Sequence, residues 1–322
     1  MPDLLVENLC TKFNLRGHAR TVVDDVSFVL KSGKTLAIVG ESGCGKTVLA
    51  LSLMQILPTP PALSMTGKVI YQDVNLLSLS QKAFNAYRGK EIAMIFQDPT
   101  MALNPVYTIG DQLIETALLH FDMTQEEAEE KTLSMLFEVG IAEPAKRMAD
   151  YPHQLSGGMK QRVMIAMALM SEPKILIADE PTTALDVTVQ VQILQLIKKL
   201  QKKRDMSLLL ITHDMGVVAE MADDVIIMYA GQFVEGGPAY EIFDQKDHPY
   251  TQGLFNSRPA QFLPGERLKA IKGSVPAPGQ FPSGCRFHPR CPFVMPKCKI
   301  GEVPFFSTSP SHFIKCWLFE AE

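Results

Sequence analysis

Short apolar runs punctuate the first two thirds of the chain: TLAIVG at 35–40, EIAMIF at 91–96, KILIAD at 174–179 and SLLLIT at 207–212. Each is too short for a helix, and longer stretches of helical period separate them. Strands alternating with helices predict an α/β fold, a mostly parallel sheet covered by helices. Upstream, VDDVSFVL at 23–30 alternates apolar and polar positions as a half-buried strand does. Between the second and third runs lies a Glu-rich helical stretch from about Ile109 to Val139 with no strand signal. It predicts a helical insertion over about 98–170, and Thr124 followed by Glu127 predicts a capping box opening its second helix. Val48 to Thr66 carries no charge but is interrupted by Pro58, Pro60 and Pro61, which reads as a helix end followed by a loop rather than a membrane span.

The pattern changes after Asp247, where prolines from Pro249 through Pro259, Pro264 and Pro276 to Pro296 break any long helix or strand. The expected organisation is a main domain at 1–247 and a small, loop-rich, cysteine-containing domain at 248–322. No internal repeat is visible.

Composition and charge sharpen this picture. Of the 322 residues, 46% are hydrophobic and 20% charged, the balance of a globular protein. A net charge of -4 gives no electrostatic footprint for nucleic acid, so no nucleic-acid partner is expected. The start, MPDLLVENLC, lacks a secretory signal, and no other uncharged run approaches the roughly 20 residues of a spanning helix. Any work at a membrane is then expected on its cytoplasmic side, with other chains crossing it. Cys10 and Cys44 lie early, whereas Cys285, Cys291, Cys298 and Cys316 crowd the end; clustered cytosolic cysteines point to a metal or redox group before disulfides.

Residues 40–47, Gly40-Glu41-Ser42-Gly43-Cys44-Gly45-Lys46-Thr47, follow a strand-like run and precede a helix-like one. That is a P-loop in its proper context: glycines turn the backbone so that its N–H groups face phosphate oxygens, Lys46 reaches the β- and γ-phosphates and Thr47 binds Mg²⁺. Cys44 reads as a tolerated small residue, not a nucleophile. The run ILIADE ends in Asp179 and Glu180, carboxylates suited to holding Mg²⁺ through water and to orienting or deprotonating the attacking water. These motifs imply ATP and Mg²⁺ as ligands.

The segment LSGGMKQR at 155–162 resembles the signature of ABC ATPases, and Gln97 in IFQDP, Asp186 in ALD and His213 in LLLITHD follow that family's order. The resemblance covers roughly 4–245 and implies a P-loop ABC-type ATPase domain with a helical insertion. It implies further that Ser156, Gly157 and Gly158 contact the γ-phosphate of ATP held by the opposite subunit, that Gln97 senses Mg²⁺ and water, that Asp186 joins two sites across a dimer, and that His213 contacts the γ-phosphate. Phe13 takes the family's adenine-stacking position, with a core role as its alternative. No catalytic motif departs from the pattern, so hydrolytic competence is expected. Soluble two-domain ABC proteins and cassettes fused to membrane helices fit less well, because each motif occurs once and no spanning helix is present.

More narrowly, QDPTMALNPVYTIGDQL at 97–113, HPYTQGLFNSRP at 248–259 and GCRFHPRCPF at 284–293 resemble ATPase subunits of oligopeptide and dipeptide importers and of related nickel and antimicrobial-peptide uptake systems. The implied partners are two transmembrane permease subunits, a second ATPase subunit (a paralogue or a second copy), and an extracytoplasmic substrate-binding protein. The implied location is peripheral, at the cytoplasmic face of the inner membrane. Cys285, Cys291, Cys298 and Cys316 lack paired zinc spacing and suit a 4Fe-4S cluster, as the branch resemblance also implies. Zinc involving His288 or His312, and thiols that merely pack, stay open at this stage.

Overall fold

The structure is a computed structural model of the chain that describes residues 2–257 and 271–320. Arg258, Pro259 and Pro264 of the proline-rich segment therefore lie outside the described residues. In chain order come β1 (Pro2–Leu15), β2 (His18–Lys31), β3 (Thr35–Val39), α1 (Lys46–Leu53), β4 (Ala62–Tyr71), β5 (Val74–Asn75), α2 (Gln81–Phe84) and β6 (Ile92–Ile95). The helices α3 (Pro99–Ala102), α4 (Ile109–His120), α5 (Gln125–Glu138), α6 (Pro144–Arg147) and α7 (Gly157–Leu169) follow. The chain then forms β7 (Ile175–Asp179), α8 (Val187–Arg204), β8 (Ser207–Thr212), α9 (Met215–Met221), β9 (Asp224–Tyr229), β10 (Gln232–Pro238), α10 (Ala239–Asp244), α11 (Pro249–Asn256), β11 (Phe306–Ser309) and β12 (His312–Ile314).

Contacts divide the chain into two compact units, one centred on Ser78–Leu210 and the other built from Pro2–Leu30, Lys34–Leu77 and the residues from Ile211 onward. In the first, β6 and β7 pair in parallel, Ala93 opposite Leu176, and every residue of β7 is buried. The helical region expected from the sequence is present. Thr108–Asp111 and Thr124–Glu127 form capping boxes at the starts of α4 and α5, each side chain accepting the backbone N–H that its partner's helix start leaves over. Helix α7 buries Val163, Ala166 and Leu169, as its apolar spacing requires. Helix α8 buries Ile193, Leu194, Ile197 and Leu200 on one stripe and ends in Lys202, Lys203 and Arg204, cations that suit a helix C-terminus. Two of them, Lys203 and Arg204, grip Glu138 of α5 at 2.5 Å each.

The second unit holds a four-stranded sheet in the order β2-β1-β4-β5 and a set of strands around β9. Strand β3 runs parallel to β9, β10 antiparallel to β9, and β12 antiparallel to both β10 and β11. Strand β4 corrects the sequence reading of a loop up to Thr66: from Ala62 onward the chain is strand, paired with β1. Most of its side chains before Val69 are exposed or half-buried, so the alternation that announces a strand is missing. Pro249 opens the short helix α11 at a first-turn position, where the absent N–H costs nothing. The core of this unit gathers Val39, Ile227, Tyr229, Val234, Tyr250, Phe255 and Phe287. Side chains of this size each contribute about 1.5–3 kcal/mol on burial.

Candidate functional site

The nucleotide loop belongs to the second unit. Strand β3 is buried throughout and delivers the chain to Gly40, where a Cβ would stand 2.2 Å from the carbonyl oxygen of Met228 and 2.8 Å from the Cys44 sulfur. Only glycine fits. Gly45, at φ +109°, caps α1 in a conformation open to glycine and strained for other residues. Lys46 is 4% exposed and its Nζ donates to the carbonyls of Gly40 at 2.7 Å and Glu41 at 3.1 Å, so the loop closes on its own lysine. Thr47 and Ser42 are exposed, on the open side of the loop. Burial pushes the Cys44 thiol up, against the pull of Lys46, and keeps it neutral, in line with a packing role. The loop fits a polyphosphate by its own construction: a cradle in which a side chain would clash, facing a helix start.

In the first unit β7 ends in Asp179, 1% exposed, and the next residue, Glu180, is held at φ +46° in the left-handed region. A non-glycine residue there stores strain of roughly 1–3 kcal/mol, a feature concentrated at functional positions. Glu180 Oε2 accepts from Gln97 Nε2 at 3.3 Å and from Thr183 Oγ1 at 2.9 Å, which aims the carboxylate. Gln97, Asp179 and Glu180 are thus brought together, with Thr183 as a partner that motif reading missed. The pair TT at 182–183 was its only signal. Asp186 caps α8, accepting the N–H of Val189 at 3.0 Å, and Ser156 caps α7 through the N–H of Met159 at 3.3 Å. Gly158 leaves no room for a Cβ, which would stand 2.8 Å from Val189. Gly157 and Ser156 are exposed at the helix start, the geometry for binding an anion from outside.

His213 follows β8 in the second unit, exposed and directly before Asp214, which caps α9. Phe13 lies on β1 opposite Ala62 and is half-buried.

The four C-terminal cysteines do converge. Cys285, Cys291, Cys298 and Cys316 wall one small cavity together with His248, Phe287, His288 and Trp317, and all are free thiols. Phe293 N–H donates to Cys291 Sγ at 3.4 Å and Met295 N–H to Cys298 Sγ at 3.5 Å. Backbone N–H groups two residues on, at Phe287 and Leu318, likewise favour the thiolates of Cys285 and Cys316. Burial works the other way: it pushes Cys285 and Cys291 up and Cys316 to about 11. A cationic centre would reverse that balance, because it stabilises thiolates that the N–H groups already favour. Among the described residues, the group of ligand atoms lying within 4.8 Å of one another is Glu235, Asp247 and His312, not any three of these sulfurs. A single zinc ion draws four sulfurs to about 2.3 Å from one point, whereas a multi-iron cluster takes four cysteines around a larger body. Neither His288 nor His312 forms such a compact group with them.

Three residues near this cavity carry contacts that motif reading did not assign. Tyr250 and Arg290 both reach Glu41 of the nucleotide loop, and His248 is fully buried, its pKa lowered to about 4 by burial. HPY at 248–250 was legible as a branch motif, but nothing in it specified these contacts.

Comparison with known proteins agrees with this geometry. The sequence model of the ABC transporter family matches residues 23–183. The dipeptide transport ATP-binding protein DppD of Bacillus subtilis (strain 168) is 50% identical over 98% of this chain and 94% of its own length. The chain belongs to the ABC transporter family and is an ATPase of that family. Within it, residues 234–298 match the C-terminal region of oligopeptide/dipeptide transporters. The oligopeptide transport ATP-binding protein AppD of the same organism is 46% identical over 99% of this chain and 97% of its own. Among solved structures, the dimeric ATP-binding cassette MJ0796 in a post-hydrolysis state with ADP and Pi superposes with a TM-score of 0.65 at 27% identity, covering 73% of this chain and 98% of that one. No helix among the described residues is long and apolar enough to cross a membrane.

Proposed function

We propose that this chain is the ATP-hydrolysing subunit of a peptide importer, working at the cytoplasmic face of a membrane crossed by two permease subunits and fed by an extracytoplasmic substrate-binding protein. The observation that carries this reading is the pairing of a complete nucleotide loop and catalytic carboxylate with a C-terminal region of the oligopeptide/dipeptide type. Relatives named for dipeptide and oligopeptide transport, similar along nearly the whole chain, support the choice of cargo.

In this reading Lys46 and the N–H groups of the loop bind the phosphates, Phe13 stacks on adenine, and Thr47 and Asp179 hold Mg²⁺, which neutralises phosphate charge when bound. Glu180, aimed by Gln97 and Thr183, takes the proton of the attacking water. His213 contacts the γ-phosphate. Ser156, Gly157 and Gly158 serve the ATP of a second ATPase subunit, and Asp186 links the two sites. The four cysteines hold a 4Fe-4S cluster. Their shared cavity and the N–H groups on the Cys291 and Cys298 sulfurs support it.

The test is reconstitution with the permeases and binding protein of the same system. ATP hydrolysis stimulated by the binding protein loaded with a dipeptide supports the reading; stimulation by nickel alone moves the cargo to the metal. Protein purified without oxygen is expected to contain iron, and stoichiometric zinc without iron rejects the cluster.

A further inference from the structure

The segment Asp247-His248-Pro249-Tyr250 touches two places at once. His248 donates its backbone N–H to Glu235 at 3.2 Å and accepts the Tyr250 N–H on Nδ1 at 3.0 Å. An accepting Nδ1 leaves the ring proton on Nε2. That buried Nε2–H has no partner among the described residues, and His248 lines the cavity of the four cysteines. Two residues on, the fully buried Tyr250 turns its hydroxyl to the nucleotide loop, where it accepts the N–H of Glu41 at 2.8 Å. One N–H of the loop is therefore committed to the C-terminal segment rather than to a phosphate.

A second connection runs in parallel. Arg290, the residue before Cys291, grips the Glu41 carboxylate with both arms, Nη1 to Oε2 at 2.6 Å and Nη2 to Oε1 at 2.9 Å, while its Nε donates to the Lys272 carbonyl at 2.9 Å. Its side chain is 6% exposed against 29% for Glu41, so a buried guanidinium holds a partly exposed carboxylate in a bidentate pair, specific in direction as well as charge. Between the two connections the rings of Tyr229, Tyr250 and Phe287 interlock at centroid distances of 4.7, 5.2 and 5.3 Å. Phe287 lines the cysteine cavity as well. Backbone and side chain of Glu41 are both held by residues that wall or adjoin that cavity.

We propose that Tyr250 and Arg290 are positioning residues for the nucleotide loop, acting through Glu41, and that through them ATP affinity depends on the state of the cysteine cavity. For what fills the cavity the proposal rests on the reading above; for the grip on Glu41 it stands alone. A packed aromatic cluster transmits a displacement because it is close-packed and yields little. A shift of the Cys291 loop moves Arg290, and with it Glu41.

The experiment measures equilibrium binding of a fluorescent ATP analogue with Mg²⁺ to the full chain purified without oxygen. It compares wild type, Glu41→Gln, Arg290→Ala and the double variant. Each single change is expected to weaken binding, and the double variant to be no weaker than the weaker single, a coupling of about 2- to 100-fold as for residues in direct contact. Arg290→Lys, which keeps charge but not the fork, recovers part of the loss. Cys291→Ser weakens binding in the wild type and adds nothing in Arg290→Ala. Additive effects in the cycle, or unchanged affinity in a folded Arg290→Ala chain, overturn the proposal. Should Arg290→Ala not fold, Tyr250→Phe decides: faster amide exchange at Glu41 with weaker nucleotide binding supports the proposal, and no change in either overturns it. Iron is assayed on the same samples. Its absence from wild type rejects the cluster while the Glu41 cycle is judged independently; iron whose loss in Cys291→Ser leaves ATP affinity unchanged rejects the dependence on the cavity alone.

Discussion

Glu180 combines three features in one residue: a left-handed backbone, two hydrogen bonds onto one carboxylate oxygen, and a position directly after a buried strand. Replacing it with Gln keeps the size and a hydrogen-bonding oxygen but removes the base. We expect Glu180→Gln to bind Mg-ATP as the wild type does and to turn over about two to four orders of magnitude more slowly. Wild-type turnover in that variant, measured as phosphate release, would assign the base elsewhere. Lys46, Thr47, Asp179 and Glu180 stand out in the sequence as candidates because phosphate and magnesium chemistry restricts residue type and spacing together. Thr183, Tyr250 and Arg290 were not, because a hydroxyl, a phenol and a guanidinium become partners only when folding places them there.

At the level of elements, the region where β10, β12 and the turn after α10 meet holds a buried charge cluster. His312 Nε2 donates to Glu235 at 3.0 Å, Nδ1 faces Gln245 Oε1 at 3.3 Å, and Glu241 and Asp247 stand 3.9 and 3.8 Å away. With acceptors at both nitrogens, the imidazolium is the form that fits. The bond to Glu235 raises the His312 pKa above its ordinary 6.5, burial opposes it, and the charges of Glu235, Asp247 and Glu241 reinforce it. The folded chain therefore binds this proton more tightly than the unfolded chain. Its contribution to stability is complete below pH 6.5 and is lost as pH rises through the raised value. His312→Gln is expected to cost roughly 1.5–3 kcal/mol at pH 6, the scale of a hydrogen bond to a charged group, and progressively less toward pH 9. Urea unfolding midpoints of both proteins across that range check it, and a constant difference would mean that the His312 pKa is the same in the folded and unfolded chain. Elements with a strong local signal, such as α5 with its capping box and the buried strands with their unbroken apolar runs, were readable in advance. Strand β4 was not, because its exposed faces remove the alternation on which such reading depends.

For the whole molecule, the proposed reading assigns Ser156 and Gly157, exposed at the start of α7, to the ATP of a second chain. If each site combines the Lys46 of one chain with the Ser156 of another, Ser156→Arg and Lys46→Ala chains are both inactive alone. Mixing them in equal amounts restores one intact site per mixed dimer, about a quarter of wild-type sites when pairing is random, since half of the dimers are mixed and each has one of two sites. Activity that stays at the level of the separate variants, with dimers demonstrated by light scattering, would exclude sites shared between identical chains.

What the sequence determined by itself was the family that its motifs define and the alternation of strands and helices, because backbone geometry makes both local: a phosphate loop needs its glycines and lysine within eight residues, and a buried strand needs an unbroken apolar run. What only the tertiary structure decided was which distant residues meet. Cys285 and Cys316 share a cavity across thirty-one positions, and Arg290 reaches Glu41 across 249. Neither contact leaves a periodic trace in the chain, since side-chain convergence is a property of packing and only the folded core sets it.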